Sequence, residues 1–317
     1  GFVKNSEELA KFKAFESDAA VLKRLEAIKK KKKTQLAEYI KKHNDIVIDP
    51  SSLFDVQAKR MHEYKRQLLF AMYIIDLFEE LKANPDMEMQ PKTFIFGAKA
   101  APGYFLAKQV IKLICCLAAE IDNYPDKRIR DKIKVVYIEN YSVTIAELLM
   151  PATELSEQIS LAGKMKFMIN GALTVGTMDG ANVEMSEKVG MDNIYIFGLR
   201  ANEVEDLWKS GYDASSYYNN NYRLRRVIDS MRRGFNGVSF DIFAQYLTTN
   251  SPVADPYMCM ADFHSYKETK DRIDADYQDK KKWNVMALRN IAASGYFSAD
   301  RAIGEYVDKI WHLKSVK

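Results

Sequence analysis

Two stretches of the chain hold residues that could do chemistry. The first runs from Leu155 to Thr174 and on into Met178-Asp179-Gly180-Ala181-Asn182-Val183-Glu184, and it sets Lys166 among Met165, Phe167 and Met168. Burial among apolar side chains lowers an ammonium pKa, and the neutral amine is the form that condenses with an aldehyde, so such a niche suits a Schiff-base lysine. A lysine that lays its stem along a helix edge and keeps its charge in water has the same sequence. The second stretch is Lys59-Arg60-Met61-His62-Glu63-Tyr64-Lys65-Arg66. A basic loop that feeds the first turn of a helix can hold an anion, because the helix dipole adds to the side-chain charges. Plain surface charge is the competing reading of that loop.

The elements that must position these residues alternate between strand and helix from Asn44 onward. Short apolar runs at Ile46–Ile48 and Leu53–Val56, separated by Asp49-Pro50-Ser51-Ser52, read as strands, and the basic loop leads into a helix over 67–82. Thr93–Phe96 is a strand that enters the small-residue turn Gly97-Ala98-Lys99-Ala100-Ala101-Pro102-Gly103, followed by an apolar helix to about Ile121. That turn is not GxGxxG, so a dinucleotide is unsupported. Lys134–Glu139 is the next strand, with Tyr141 just beyond it, and a helix over 144–150 follows. A further strand is expected over Asn193–Gly198. The layout is that of an α/β, doubly wound parallel (Rossmann-like) sheet, in which ligands collect beyond the carboxyl ends of the strands. The basic loop, the 97–103 turn, Tyr141 and the lysine helix carrying Lys166 all fall at such ends.

Outside that alternation, residues 6–43 read as two helices with five lysines, Lys29–Lys33, between them as a solvated face. Residues 211–225 read as a polar loop entering a helix around 223–231, and 248–257 as irregular. The chain ends in helices split at Ser294-Gly295, with Ser298 as N-cap of the last.

Composition excludes more than it selects. At 317 residues, 47% apolar and 28% charged, with a formal charge of +4, the chain has the balance of an ordinary globular protein and no global case for nucleic acid or membrane. No apolar run has the length of a membrane span. Cys115, Cys116 and Cys259 lack metal or CxxC spacing and read as reduced core thiols of a cytoplasmic protein, with no metal site.

The wording of the two chemical stretches goes further than their composition. Gln158-Ile159-Ser160 with Met165-Lys166-Phe167-Met168 and Lys59-Arg60-Met61-His62-Glu63-Tyr64-Lys65-Arg66 closely resemble the corresponding segments of the glycogen, starch and maltodextrin phosphorylases. The resemblance runs from about Leu9 to Trp311 and implies the C-terminal half of a two-domain, glycosyltransferase-B-type fold with helices added at both ends. On it, residues 1–43 pack on the domain, 44–295 bind cofactor and phosphate, and 296–317 cross to an N-terminal domain outside this sequence. It implies pyridoxal phosphate held by Lys166, with Lys59 and Tyr141 beside the cofactor phosphate. It implies Arg60 and Lys65 on the substrate phosphate and Tyr64 on the sugar side. The implied reaction is retaining phosphorolysis of an α-1,4-glucan by inorganic phosphate in a cytoplasmic, homodimeric full-length protein. One departure stands out: the family's Glu-Ala-Ser-Gly-Thr-Gly-Asn type segment is absent, and Gly163-Lys164 runs directly into Met165-Lys166. The expectation is that this chain alone does not catalyse the reaction. A nucleotide-sugar glycosyltransferase domain, needing no Schiff-base lysine, and a non-catalytic interaction domain using the exposed last helix and the lysine run Lys29–Lys33 are the alternatives.

Overall fold

A computed structural model of the chain describes residues 1–159, 165–249 and 253–314. Its centre is a six-stranded, all-parallel sheet of order β3-β2-β1-β4-β5-β6, made of β1 (Leu53–Ala58), β2 (Lys92–Gly97), β3 (Ile133–Ile138), β4 (Leu155–Gln158), β5 (Leu173–Gly176) and β6 (Tyr195–Ile196). The order reverses between β1 and β4, which is the switch point of a doubly wound fold. The expected fold class is therefore the observed one.

The helices follow from the crossovers that parallel strands require. α1 (Ala19–Asn44) precedes the sheet; α2 (Gln67–Ala83) joins β1 to β2; α3 (Phe105–Asp122) and the single turn α4 (Lys127–Arg130) join β2 to β3; α5 (Val143–Ala152) leads to β4; α6 (Met165–Ile169) lies between β4 and β5; and α7 (Ala181–Val189) leads to β6. Beyond the sheet come α8 (Ala201–Lys209), α9 (Ala214–Asn220), α10 (Tyr222–Arg233), α11 (Asp241–Thr248), α12 (Cys259–Gln278), α13 (Lys280–Ala293) and α14 (Ala299–Tyr306). Strand side chains alternate between two cores. Phe94, Phe96, Val135, Leu155 and Val175 face α2, α3 and α10 to α12, and Phe54, Val56, Ile95 and Val136 face α1, α5 and α6. α2 is buried on nearly all sides, which explains its continuous apolar sequence.

Several sequence expectations are corrected. Ile46–Ile48 joins no strand: Ile48 is buried while Val47 is 69% exposed, so the run anchors the exit from α1 through one side chain. The lysine run does not separate two helices. It lies inside the single helix α1, because lysine has good helix propensity and no glycine or proline interrupts it. Nor is it all solvated, since Lys33 is buried and Lys29 partly so. Residues 211–225 contain α9. The helix carrying Lys166 is the five-residue α6, flanked by β4 and β5, and the strand expected over Asn193–Gly198 keeps only Tyr195–Ile196. Ser298 does cap α14, accepting from the Arg301 N–H at 3.2 Å. Among the described residues no helix is long and apolar enough to cross a membrane, and no group of side chains is arranged to hold a metal ion.

Candidate anion and cofactor site

The basic loop begins where β1 ends. The Lys59 N–H donates to the Gly97 carbonyl at 3.0 Å and the Met61 N–H to the Lys99 carbonyl at 2.9 Å, so the loop continues the pairing of β1 with β2 past the sheet edge. Two glutamines stitch it from either flank: Gln57 Nε2 donates to the Lys65 carbonyl at 3.2 Å and Gln67 Nε2 to the Arg60 carbonyl at 3.1 Å. A 3-10 turn, Glu63–Lys65, ends at Arg66, whose φ of 53° is left-handed. Arg66 can hold that conformation because its guanidinium is fixed, donating to Asp262 Oδ2 at 2.5 Å and stacked over Phe197. It is thereby spent on structure.

Lys59 is buried, Lys65 half-buried and Arg60 exposed. Burial, and then the charge of Arg60, push the Lys65 ammonium below its ordinary range. Among the described residues no carboxylate lies within ion-pair distance of Arg60 or Lys65. The loop's own carboxylate, Glu63, accepts from the Tyr104 hydroxyl at 2.6 Å and is held away from them. Two neighbouring cations with no carboxylate within ion-pair distance among the described residues are poised for an anion from solution. Tyr64, 44% exposed, stacks on His62 at 5.3 Å and carries Lys65 Nζ 5.5 Å from its ring, so an aromatic face borders the same place.

Tyr141 reaches the loop through Gly97. A Cβ on Gly97 would stand 2.9 Å from the Tyr141 ring, so the strand end must be glycine for the ring to lie there. Because the Gly97 carbonyl also accepts from the Lys59 N–H, the Tyr141 ring lies at the same strand end from which the basic loop departs. Burial raises the Tyr141 hydroxyl pKa, keeping it a neutral donor.

Lys166 is carried separately, on α6. Phe167 and Met168 are buried, but Lys166 is exposed, so its apolar neighbours turn away from it. The desolvated niche expected from the sequence is not what this face of α6 provides. The Gly163-Lys164 junction falls in 160–164 and lies outside the described residues. Sequence reasoning also missed Gln158 and Asn182, at the carboxyl end of β4 and in the first turn of α7. Asn182 Nδ2 donates to the Gln158 and Thr177 carbonyls at 3.3 and 2.7 Å, and a Cβ on Gly176 would strike both groups. Gln158 Oε1, Thr174 Oγ1 and Asn182 Oδ1 are buried acceptors without a partner among the described residues. Polar residues at a strand's carboxyl end were the available signal.

A model of the family described as carbohydrate phosphorylase matches residues 1–313. The glycogen phosphorylase of Bacillus subtilis is 44% identical over 321 residues, covering 99% of this chain and 40% of its own length. That of Synechocystis is 43% identical over 100% of this chain and 38% of its own, and the human liver form 43% identical over 99% and 38%. The chain belongs to the carbohydrate phosphorylase family. It spans about two fifths of the length of these phosphorylases. The phosphorylase match covers the whole sheet, the basic loop and the α6 segment together.

Proposed function

We propose that the chain is the cofactor- and phosphate-binding part of an α-1,4-glucan phosphorylase, which uses inorganic phosphate to release glucose 1-phosphate with retention. The observation that carries this reading is the pairing of Arg60 with Lys65: two neighbouring cations, Lys65 being depressed by burial and then by Arg60, with the loop's carboxylate held by Tyr104. A phosphate fits them by charge, and neutralising crowded anions during reaction is the kind of electrostatic stabilisation that a preformed site does best.

In this reading Arg60 and Lys65 bind and orient the substrate phosphate. Tyr64 offers its exposed ring to the sugar, as aromatic faces suit the apolar side of a pyranose. Lys59, buried beside Gly97, and Tyr141 border the phosphate of pyridoxal phosphate, and Lys166 tethers that cofactor so that its position is fixed before substrate arrives. When bound, the cofactor supplies a phosphate whose second pKa of about 6 can exchange a proton near neutral pH. The chain's residues hold the two phosphates together against their repulsion and keep the order of contacts. The whole protein, homodimeric and cytoplasmic in this reading, would take its glucan between this part and the portion that the longer phosphorylases carry in addition. The 317-residue chain alone is expected not to turn over.

The test is borohydride reduction of protein treated with pyridoxal phosphate, followed by peptide mapping. The reduced cofactor is expected on Lys166, at near-stoichiometric yield. Label spread over surface lysines with none on Lys166 would overturn the reading.

A further inference from the structure

Two lysines of the α1 run leave the helix on the same side, one turn apart, and enter the domain. Lys33 donates to the Ser52 carbonyl at 2.6 Å and to Glu154 Oε2 at 2.8 Å. Lys29 spends all three ammonium protons on backbone: the carbonyls of Pro151 at 2.9 Å, Thr153 at 2.6 Å and Asn170 at 2.9 Å. The first two lie at the end of α5, where the chain enters β4. The third is the residue that follows α6.

We infer that Lys29 is a positioning residue for the cofactor lysine, clamping the outgoing end of α6 to the entrance of β4. The inference rests on the reading that Lys166 carries the cofactor. Its physical basis is that α6 has only five residues and cannot persist by its own hydrogen bonds. Its carboxyl end is fixed three times over. The Ala172 N–H returns to the Phe167 carbonyl at 3.1 Å through Gly171, whose φ of +71° is left-handed. Asn170 Nδ2 donates to the carbonyl of Lys166 itself at 2.7 Å, and the Asn170 carbonyl in turn accepts from Lys29. A continuous path therefore runs from Lys29 through Asn170 to the backbone of Lys166. A cation placed on exposed helix-end carbonyls also complements the helix dipole. Lys166 is the second residue of α6, so a loosened exit would let the tether swing.

Lys33 is the internal control, because it is buried and hydrogen-bonded to the domain through Ser52 and Glu154, with no hydrogen bond to α6 or to Asn170. The experiment uses full-length protein with its pyridoxal phosphate and compares Lys29→Met, Lys33→Met and Asn170→Ala. Hydrogen exchange of the 167–172 peptide is expected to quicken at least about tenfold in K29M, less in N170A, and within about twofold of wild type in K33M, whatever each change does to global stability. Cofactor affinity, followed by absorbance, is expected to weaken at least about tenfold in K29M and within about twofold in K33M. Equal exchange in K29M and K33M, or unchanged cofactor affinity in a K29M whose α6 has loosened, would overturn the inference. If K29M fails to fold, N170A decides alone, since it cuts only the link to Lys166 and leaves the Lys29 contacts in place. N170A that leaves both readouts at wild-type values counts against the clamp. Failure of the underlying reading looks different: the peptide responds as expected while borohydride fixes no cofactor on Lys166 of the wild type.

Discussion

Cations in the middle of the sheet and cations on its catalytic edge are treated in opposite ways. Inside, Lys270 of α12 reaches between β1 and β4 to Asp55 at 2.6 Å and to Glu157. Lys92 has Asp274 and the Tyr73 hydroxyl, each at 2.7 Å, and Lys33 has Glu154. On the edge, Arg60 and Lys65 have no carboxylate among the described residues, and Glu63 is drawn off to Tyr104. Charge balanced within the protein serves the fold, because a buried ion without its partner is intolerable. Charge left unbalanced at the edge costs a little repulsion and is available to a ligand.

That contrast can be broken by substitution at either place. Lys270→Met removes the ammonium that Asp55 and Glu157 share and is expected to cost about 3–5 kcal/mol in urea unfolding, the range for removing one partner of a buried pair. Gly97→Ala forces a methyl against the Tyr141 ring. It should cost about 1–3 kcal/mol by overpacking, and should also weaken phosphate-dependent turnover in the full-length enzyme, because the strand end carries Lys59. Arg60→Ala should do the reverse of Lys270→Met. Unfolding free energy stays within about 0.5 kcal/mol of wild type, as at most surface sites, while the KM for phosphate in the full-length enzyme rises at least about tenfold. An Arg60→Ala protein with strongly reduced stability and normal phosphate KM would reverse the assignment of the two regions.

The smallest expected effect is a pH slope. Burial raises the Glu157 pKa well above its ordinary 4.5, with Lys270 opposing and Asp55 adding to the rise. The folded chain therefore keeps a proton that the unfolded chain loses above about pH 4.5, so this group's contribution to stability falls as pH climbs toward the raised value. Glu157→Gln should flatten that part of the stability profile. Lys65 has the opposite sense: its lowered pKa makes the folded chain the weaker proton binder, so its contribution grows as pH rises toward the ordinary lysine range.

Most of the sheet was legible because β1, β2, β3 and β6 are apolar runs followed by turn residues, as at Phe94-Ile95-Phe96-Gly97. β4 was hidden because Ser156, Glu157 and Gln158 are polar, yet all are buried in the middle of the sheet, where Lys270 and neighbouring strands satisfy part of their needs. Neither β4 nor β5 was read from the sequence, and only the helix carrying Lys166 was expected between Pro151 and Met178. Tertiary packing also decided the lysine run, since nothing local marks Lys29 and Lys33 as the two that turn inward. The basic loop was the clearest site in the sequence, as its eight residues are contiguous. The convergence of Tyr141 with Lys59 was not, because it depends on a missing Cβ at Gly97 and on a pairing between strands far apart in the chain.

The most direct measurement of the central claim is urea unfolding of the chain at increasing inorganic phosphate, against chloride at matched ionic strength. Ligand binding to the folded state alone stabilises it by RT ln(1 + [L]/Kd), about 1.4 kcal/mol at tenfold excess over Kd. The account predicts a phosphate-specific gain in the wild type that disappears in Arg60→Ala/Lys65→Ala. The same gain in the double variant, or none beyond chloride in the wild type, would contradict the assignment of Arg60 and Lys65 to a phosphate.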